Sequence, residues 1–186
     1  MSKPNKYIFD LDNTLIYTDL LNNDAYNYAL KLQGLEAIGD CRRITRDYVF
    51  NKYLNIGKMQ ETKIIELKQG YFINNMQSTI LNTQLLRILE TENIENCVLW
   101  TSADRLRAKA LLEYYNMSNS FKEILFSEKI NVSQDIEKIC RIFECDMEQL
   151  VFYEDNRKVI EQLQDLKINV VSVELPYIKN SINNVI

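Results

Sequence analysis

Histidine is absent from this chain of 186 residues, and glycine and proline are scarce, with four and two copies. Without an imidazole, the protein cannot build a Ser-His-Asp or Cys-His nucleophile system, a histidine zinc site or a histidine pH switch. Any proton transfer must therefore use carboxylates, lysine, tyrosine or cysteine. No Pro-rich or low-complexity linker divides the chain, and at this length we expect one compact domain with room for a small lid.

Cysteines and long apolar runs are also scarce. The cysteines form no C-x-x-C pair and are too few for a disulfide-stapled secreted domain, so we expect reduced core thiols. No apolar run reaches the roughly 18 residues of a membrane span, and the N-terminal segment MSKPNKYIFD has no signal-peptide hydrophobic region. These features predict a cytoplasmic protein without a membrane partner. The four cysteines are Cys41, Cys97, Cys140 and Cys145.

Basic residues are fewer than acidic ones, so the net charge is -4 and the sequence pI is about 5.1. This balance argues against a surface built to neutralise nucleic-acid phosphates, although a local basic patch leaves such a partner open. A solvated helix surface is the preferred interpretation of that patch, and attraction of an anionic substrate is the alternative. Its basic residues are Arg42, Arg43, Arg46, Lys52, Lys58, Lys63 and Lys68.

Hydrophobic periodicity changes along the chain. An apolar run at residues 6–11 predicts a buried strand that ends in acidic residues, and a 3.6-residue period predicts a helix over residues 19–34. Residues 35–81 keep a blurred helical pattern without strand alternation. A further helix is predicted over residues 79–93.

After that helix, apolar runs alternate with amphipathic helices, which is typical of a doubly wound parallel sheet. We therefore predict an α/β fold with a small α-helical cap: a core of residues 1–16 and 82–186, and a cap of residues 17–81 inserted after the first strand. The strands are NCVLWT, EILF, LVFY and INVVSV, and the helices are residues 104–116, 133–143 and 157–166.

Polar residues follow the ends of these strands. Ligands of such sheets bind at the carboxyl ends of the strands, so these residues should meet in one crevice. Carboxylates about 4 Å apart repel by roughly 4 kcal/mol at an effective dielectric of 20, and a divalent cation relieves that repulsion. Oxygen ligands and a phosphate site favour Mg²⁺. The residues are Asp10, Asp12, Asn13, Thr14, Thr101, Ser102, Lys129, Glu154 and Asp155.

The same residues resemble the four motifs of the haloacid dehalogenase-like (HAD) phosphohydrolases. The first is the segment DLDNTL that begins at Asp10, the second is Thr101 at a strand end, the third is Lys129 and the fourth is the pair Glu154–Asp155. Lys129 lies 25 residues before Glu154, with one helix and one strand between them. The resemblance covers the whole chain, and the inserted helices look like the caps of the phosphoglycolate phosphatase and β-phosphoglucomutase branch.

The resemblance implies a Mg²⁺-dependent phosphatase with an aspartyl-phosphate intermediate on Asp10. Asp12 would protonate the leaving oxygen and then deprotonate water, which requires surroundings that raise its pKa while Asp10 stays ionised. Thr101, with Ser102 beside it, would bind phosphate oxygens, and Lys129 would neutralise their charge. The metal ligands would be Asp10, Asp12 through its main-chain carbonyl, Glu154 and Asp155.

Simpler interpretations stay open for several of these residues. Asp12, Asn13 and Thr14 could form a turn or a helix cap, and Thr101 or Ser102 could cap the next helix. Lys129 could be a solvated lysine, because Ile130 stands where the family usually has proline and other lysines are near, namely Lys122 and Lys138. The pair Glu154–Asp155 could simply complement a helix dipole.

A small soluble phosphomonoester, such as a nucleotide or sugar phosphate, is the predicted substrate. A phosphomutase or other phosphotransferase is the alternative within enzymes, because the second Asp serves both chemistries. A nucleic-acid end phosphatase and a phosphate-binding regulatory module without turnover are further alternatives. The sequence does not indicate the oligomeric state.

Overall fold

The computed structural model describes residues 5–39 and 41–174. In chain order its strands are β1 (Lys6–Phe9), β2 (Ile16–Tyr17), β3 (Ile80–Leu81), β4 (Cys97–Thr101), β5 (Glu123–Phe126), β6 (Leu150–Glu154) and β7 (Asn169–Ser172). Its helices are α1 (Asp19–Leu32), α2 (Arg46–Lys52), α3 (Lys58–Asn74), α4 (Thr83–Thr91), α5 (Arg105–Tyr114), α6 (Val132–Phe143) and α7 (Arg157–Asp165). Short 3₁₀ turns lie at Met76–Ser78, Ile94–Asn96 and Met147–Gln149.

The main sheet has five parallel strands in the order β5–β4–β1–β6–β7. The first strand lies at the centre, and the later strands add on both of its sides. Helical connections return the chain to the same end of the sheet before each new strand, so all the carboxyl ends share one edge. The predicted doubly wound α/β fold is therefore confirmed.

Alternating side chains of the central strands pack on opposite faces of the sheet. Phe9 stacks on Tyr153 with 5.1 Å between ring centroids on one face, and Trp100 meets Phe152 edge to face at 5.5 Å on the other. Helix α5 covers the first face, and helices α6 and α7 cover the second. Burial on both faces explains why these strands are continuous apolar runs.

Strand β1 is shorter than the predicted strand over residues 6–11, because the backbone turns directly after Phe9. The Asp10 N–H still donates to the Tyr153 carbonyl at 3.0 Å, but the Leu15 N–H reaches back to the Asp10 carbonyl at 3.3 Å. Asn13 adopts a left-handed φ of 61° within this turn, which asparagine tolerates better than most residues. The turn interpretation is therefore correct for Asn13.

The inserted helices form their own apolar cluster. Helices α1 and α3 pack on each other, and α2 closes one end through Val49. Helix α1 ends at Leu32, and the φ of 71° at Gly34 then allows the Leu35 N–H to donate to the Leu30 carbonyl at 2.9 Å. The cluster consists of Tyr26, Ala29, Leu30, Ile38, Ile44, Val49 and Ile64.

The helix predicted over residues 79–93 is wrong at its beginning. Ile80–Leu81 form β3, which pairs antiparallel with β2, and helix α4 begins only at Thr83. The Asn82 side chain accepts from the Gln84 and Leu85 amides at 3.2 and 3.3 Å and so caps α4. The β2–β3 pair lies where the predicted cap joins the predicted core, and the division at residues 17 and 81 stays a prediction.

All four cysteines are free thiols. Among the described residues, no helix combines the length and apolarity that crossing a bilayer requires.

Candidate active site

Three carboxylates meet at the carboxyl edge of the sheet. Asp10 directly follows β1, Glu154 is the last residue of β6, and Asp155 comes next. One carboxylate oxygen from each of the three lies within 4.8 Å of the other two, while Asp10 is only 6% exposed and Glu154 only 1%. The sequence therefore correctly predicted that acids far apart in the chain would gather at this edge.

Lys129 lies between two of these acids. Its Nζ donates to Asp10 Oδ1 and to Glu154 Oε2, each at 2.6 Å, and its side chain is 6% exposed. Although burial favours the neutral amine, the two carboxylates raise the pKa of Lys129 above its ordinary value. A solvated Lys129 is therefore excluded, and the other candidate lysines lie elsewhere: Lys122 pairs with Glu95 and Lys138 with Asp135.

Glu154 also holds the turn that leads into α7. Its Oε1 accepts from the Asp155 amide at 3.1 Å and from the Asn156 amide at 3.0 Å, while Oε2 accepts from Lys129. Both oxygens therefore already have protein donors. The cap of α7 is Asn156, whose side chain accepts from the Lys158 amide at 3.1 Å. The helix-dipole interpretation fits the two amide contacts of Glu154, but it does not account for the bond from Lys129.

The charges of this cluster fit a divalent cation. Burial raises the pKa of Asp10 to about 7, although Lys129 opposes the increase. Burial and the nearby Asp10 raise the pKa of Asp155 to about 6. Both shifts mean that the protein alone does not fully compensate the negative charge gathered here. The ligand atoms are all carboxylate oxygens, the donor type that Mg²⁺ prefers.

Asp12 belongs to a different set of contacts from the three clustered acids. The Arg107 guanidinium donates to both oxygens of the Asp12 carboxylate, from Nη1 to Oδ1 at 2.7 Å and from Nη2 to Oδ2. The Thr18 hydroxyl donates to Oδ1 at 2.7 Å, and Arg43 lies 3.5 Å from Oδ2. Asp12 thus accepts from Arg107 and Thr18 and forms an ion pair with Arg43, in a site that is almost closed to solvent, since its side chain is 9% exposed.

The surroundings of Asp12 shift its pKa in the direction opposite to the predicted one. Burial acts to raise the pKa of Asp12, but Arg107 and Arg43 hold that pKa well below its usual range. The prediction that its surroundings raise the pKa of Asp12 is therefore wrong, whereas the prediction that Asp10 stays ionised concerns the metal-bound site and stays a prediction. The physical reason is Arg107, which lies 95 residues from Asp12 along the chain.

Arg107 is the site residue that the sequence analysis missed. It shares the buried face of α5 with Ala108, Leu111 and Leu112, so an arginine within an apolar stripe was the available signal. Arg43 was noted only as part of the basic patch. Arg43 links the inserted helical segment to the site, because it lies close to Asp12 and its Nη1 also donates to Asp19 Oδ1 at 3.1 Å.

Thr101 and Ser102 differ in their surroundings. Thr101 is buried at the end of β4, and its Oγ1 accepts from the Ala103 amide at 3.1 Å. This contact closes a turn directly after β4, and it leaves the hydroxyl proton of Thr101 free to donate to an anion. Ser102 is exposed, and Asp104 rather than either of them caps α5.

Comparison with known proteins assigns the family. The sequence profile of the haloacid dehalogenase-like hydrolases matches residues 7–173, so the chain belongs to that family and is a hydrolase, as the four motifs predicted. No curated protein matches the chain significantly in sequence.

Solved structures agree with this assignment at the level of the fold. A predicted phosphoglycolate phosphatase from Haemophilus somnus 129pt is 16% identical with a TM-score of 0.76, over 92% of this chain and 86% of that one. CbbY from Rhodobacter sphaeroides, solved in complex with phosphate, is 15% identical with a TM-score of 0.72, over 96% and 90%. A haloacid dehalogenase-like hydrolase from Streptococcus pneumoniae is 18% identical with a TM-score of 0.67, over 91% and 84%.

Proposed function

We propose that this protein is a Mg²⁺-dependent phosphatase that hydrolyses a small soluble phosphomonoester, such as a nucleotide or sugar phosphate, through an aspartyl-phosphate on Asp10. The observation that carries the proposal is the arrangement of Asp10, Lys129, Glu154 and Asp155 within one buried cluster. A carboxylate can attack phosphorus only when positive charge offsets the approach of two anions. The four free thiols support the proposed cytoplasmic location.

Asp10 and Asp155 would hold the metal, together with the main-chain carbonyl of Asp12. When bound, Mg²⁺ would lower the pKa of the carboxyls around it and neutralise charge on the phosphoryl group. Glu154 was predicted as a further ligand, but its oxygens already accept three protein hydrogen bonds. We therefore assign Glu154 to holding Lys129 and the turn that carries Asp155.

Asp10 would attack the phosphorus atom while the bond to the leaving oxygen breaks, and water would then release inorganic phosphate and regenerate the carboxylate. Lys129 would donate to the phosphoryl oxygens, and Thr101 would donate its hydroxyl proton to one of them. Asp12, kept ionised by Arg107, would accept the proton of the attacking water. In this assignment Asp12 is the base rather than the acid, and the leaving oxygen would take its proton from solvent water after it departs.

The test of the function is release of inorganic phosphate from a panel of phosphomonoesters with Mg²⁺, beside a chelator control. Chelator-sensitive release of phosphate is the expected result. A phosphosugar that is isomerised without net release would support a phosphomutase instead. Tight binding of phosphate without turnover on any substrate would support the regulatory module, and steeply salt-dependent turnover of DNA or RNA ends would support a nucleic-acid phosphatase.

The first prediction concerns the metal. Asp155→Asn removes one of the two proposed carboxylate ligands, so the Mg²⁺ concentration for half-maximal activity should rise about tenfold or more. Excess Mg²⁺ should recover much of the lost rate, because the nucleophile is unchanged. Phosphate release measured across a Mg²⁺ titration checks this.

The matched control for the metal prediction is Asp165→Asn, which changes an exposed residue at the end of α7. Its Mg²⁺ dependence should equal that of the unchanged protein. An Asp155→Asn protein with an unaltered Mg²⁺ midpoint would exclude Asp155 as a ligand.

The second prediction concerns the leaving group. Because Arg107 keeps Asp12 ionised, the leaving oxygen should depart with little protonation, so substrates with acidic leaving groups should react faster. The kcat/KM for p-nitrophenyl phosphate should exceed that for a simple alkyl phosphate by about 100-fold or more. A series of substituted phenyl phosphates gives the dependence on leaving-group pKa.

Arg107→Met tests the cause of that dependence. Removing the guanidinium should raise the pKa of Asp12, allow it to protonate the leaving oxygen and make the dependence shallower. Arg105→Met, on the exposed side of the same helix, is the control. Equal slopes for the unchanged protein and Arg107→Met would contradict the role given to this ion pair.

A further inference from the structure

Lys129 needs support, because its backbone and its side chain are both held in demanding positions. Its φ is 55°, in the left-handed region that residues other than glycine seldom adopt. Its ammonium must stay between two carboxylates although the lysine side chain is long and flexible. The next residue, Ile130, is exposed and does not help to hold the turn by packing.

Two separate contacts hold Lys129 in place. The Ser127 hydroxyl accepts from the Lys129 backbone N–H at 3.1 Å, which fixes the left-handed turn. The indole ring of Trp100 lies beneath the ammonium, with 4.4 Å between Lys129 Nζ and the ring, a distance at which a cation is attracted to an aromatic face. One contact therefore acts on the backbone and the other on the charged group.

Both contacts converge on one oxygen atom of Asp135, in the first turn of α6. Asp135 Oδ2 accepts from the Ser127 hydroxyl and also from Trp100 Nε1, the latter at 3.2 Å. The other oxygen, Oδ1, accepts from Lys138 Nζ at 3.1 Å. Asp135 is 3% exposed, and a carboxylate buried in this way is retained only with such partners. The proposed reaction assigns no step to it.

We propose that Asp135 is a positioning residue that orients Lys129 through Ser127 and Trp100. This inference rests on the proposed function of Lys129. The Asp135 carboxylate contacts neither the lysine ammonium nor the three clustered acids, so its effect on turnover passes entirely through the two intermediate side chains. Asp135 thereby controls the orientation of Lys129 toward Asp10.

The test compares Asp135→Ala with Asp135→Asn, which keeps an oxygen to accept from Ser127 and Trp100. Asp135→Ala should lower kcat by about 10- to 100-fold, the size of effect expected when a reacting group is misplaced by about 1 Å. Asp135→Asn should recover most of that loss, and Ser127→Ala should reproduce part of it. Glu137→Gln, an exposed acid on the same helix, is the control.

A double-variant cycle separates positioning from general destabilisation. In a Lys129→Met background, Asp135→Ala should cause little further loss of kcat, because the residue it positions is gone. The proposal would be overturned if Asp135→Ala lowered kcat by the same factor with and without Lys129→Met. It would also be overturned if Asp135→Ala alone left kcat undiminished. If Asp135→Ala fails to fold, Ser127→Ala carries the same comparison.

Trp100 supplies a readout besides activity, since it is the only tryptophan in the chain. Its fluorescence emission should shift in Asp135→Ala, stay near that of the unchanged protein in Asp135→Asn, and be unaffected by Glu137→Gln. If the unchanged protein releases no phosphate but these emission shifts occur, the proposed function fails while the Asp135 contacts stand. Turnover with identical emission in all the variants would refute the positioning network alone.

Discussion

Replacing Asp10 with asparagine is expected to lower phosphate release by about 10³-fold or more, the scale of loss when a nucleophile is removed. The amide has nearly the same shape as the carboxylate, but it cannot attack phosphorus or carry the phosphoryl group. The substitution also removes one of the negative charges that would hold Mg²⁺. Steady-state release of inorganic phosphate, with Mg²⁺ in excess, measures this loss.

Asp10→Asn should not unfold the protein. Asp10 is buried beside Glu154 and Lys129, and burial raises its pKa to about 7, so a neutral side chain at this position relieves repulsion between carboxylates. We expect the variant to be at least as stable as the unchanged protein above the ordinary pKa of aspartate, near 4. Thermal unfolding at pH 7 checks this point.

The matched control for Asp10→Asn is Asp24→Asn, the same substitution at an exposed position on α1. It should leave phosphate release unchanged. Trapping of labelled phosphate on the unchanged protein, but not on Asp10→Asn, would tie the lost activity to the covalent intermediate. An Asp10→Asn protein that keeps more than about a tenth of the activity would exclude Asp10 as the nucleophile.

The fold was largely accessible to sequence reasoning because its central strands are buried on both faces and therefore read as short apolar runs. The errors lie at element ends. Strand β1 stops at Phe9 because Asp10 begins a turn, and α4 begins at Thr83 because Ile80–Leu81 pair with Ile16–Tyr17. A two-residue antiparallel pair depends on a partner more than sixty residues away, which no local pattern reveals.

The acidic cluster was also accessible, because one rule about the carboxyl ends of parallel strands places Asp10, Glu154 and Asp155 together. What sequence reasoning could not supply is which cation would pair with which carboxylate. Arg107 meets Asp12 across 95 positions, and Trp100 meets Asp135 across 35. Both contacts depend on how helices α5 and α6 pack on opposite faces of the sheet, and the spacing of residues along the chain does not reveal this packing.

The basic patch illustrates the same limit. Most of its side chains are exposed, as the preferred interpretation of a solvated surface predicted, but Arg43 is half-buried and reaches both Asp12 and Asp19. Arg42 lies 4.0 Å from Asp155, although its own side chain is largely exposed. Of seven similar cations, the sequence could not select these two, because their contacts are with Asp12, Asp19 and Asp155, which are distant in the chain.

Replacing Lys129 with methionine is expected to lower kcat by about 10²- to 10³-fold, the range seen when one preorganised donor to a developing charge is removed. Methionine keeps much of the length and apolar volume of the lysine stem but has no ammonium. KM should change less than kcat if the charge matters most as the phosphoryl group transfers. Lys122→Met is the control, because Lys122 pairs only with the exposed Glu95 at the surface.

The same substitution should change stability in a pH-dependent way, because Lys129 separates two buried carboxylates. Breaking such a buried pair costs about 3–5 kcal/mol, and without the ammonium the pKa of Asp10, already raised to about 7, would rise further. A folded-state pKa above the unfolded value gives stability that is present below about pH 4 and is lost as the pH rises toward neutrality. Asp10 is protonated in both folded proteins well below pH 7, so the two proteins diverge only above that pH. Lys129→Met should therefore be destabilised more at about pH 9 than at about pH 6, measured by denaturant unfolding. A full kcat together with a pH-independent loss of stability would contradict both the electrostatic and the catalytic role of Lys129.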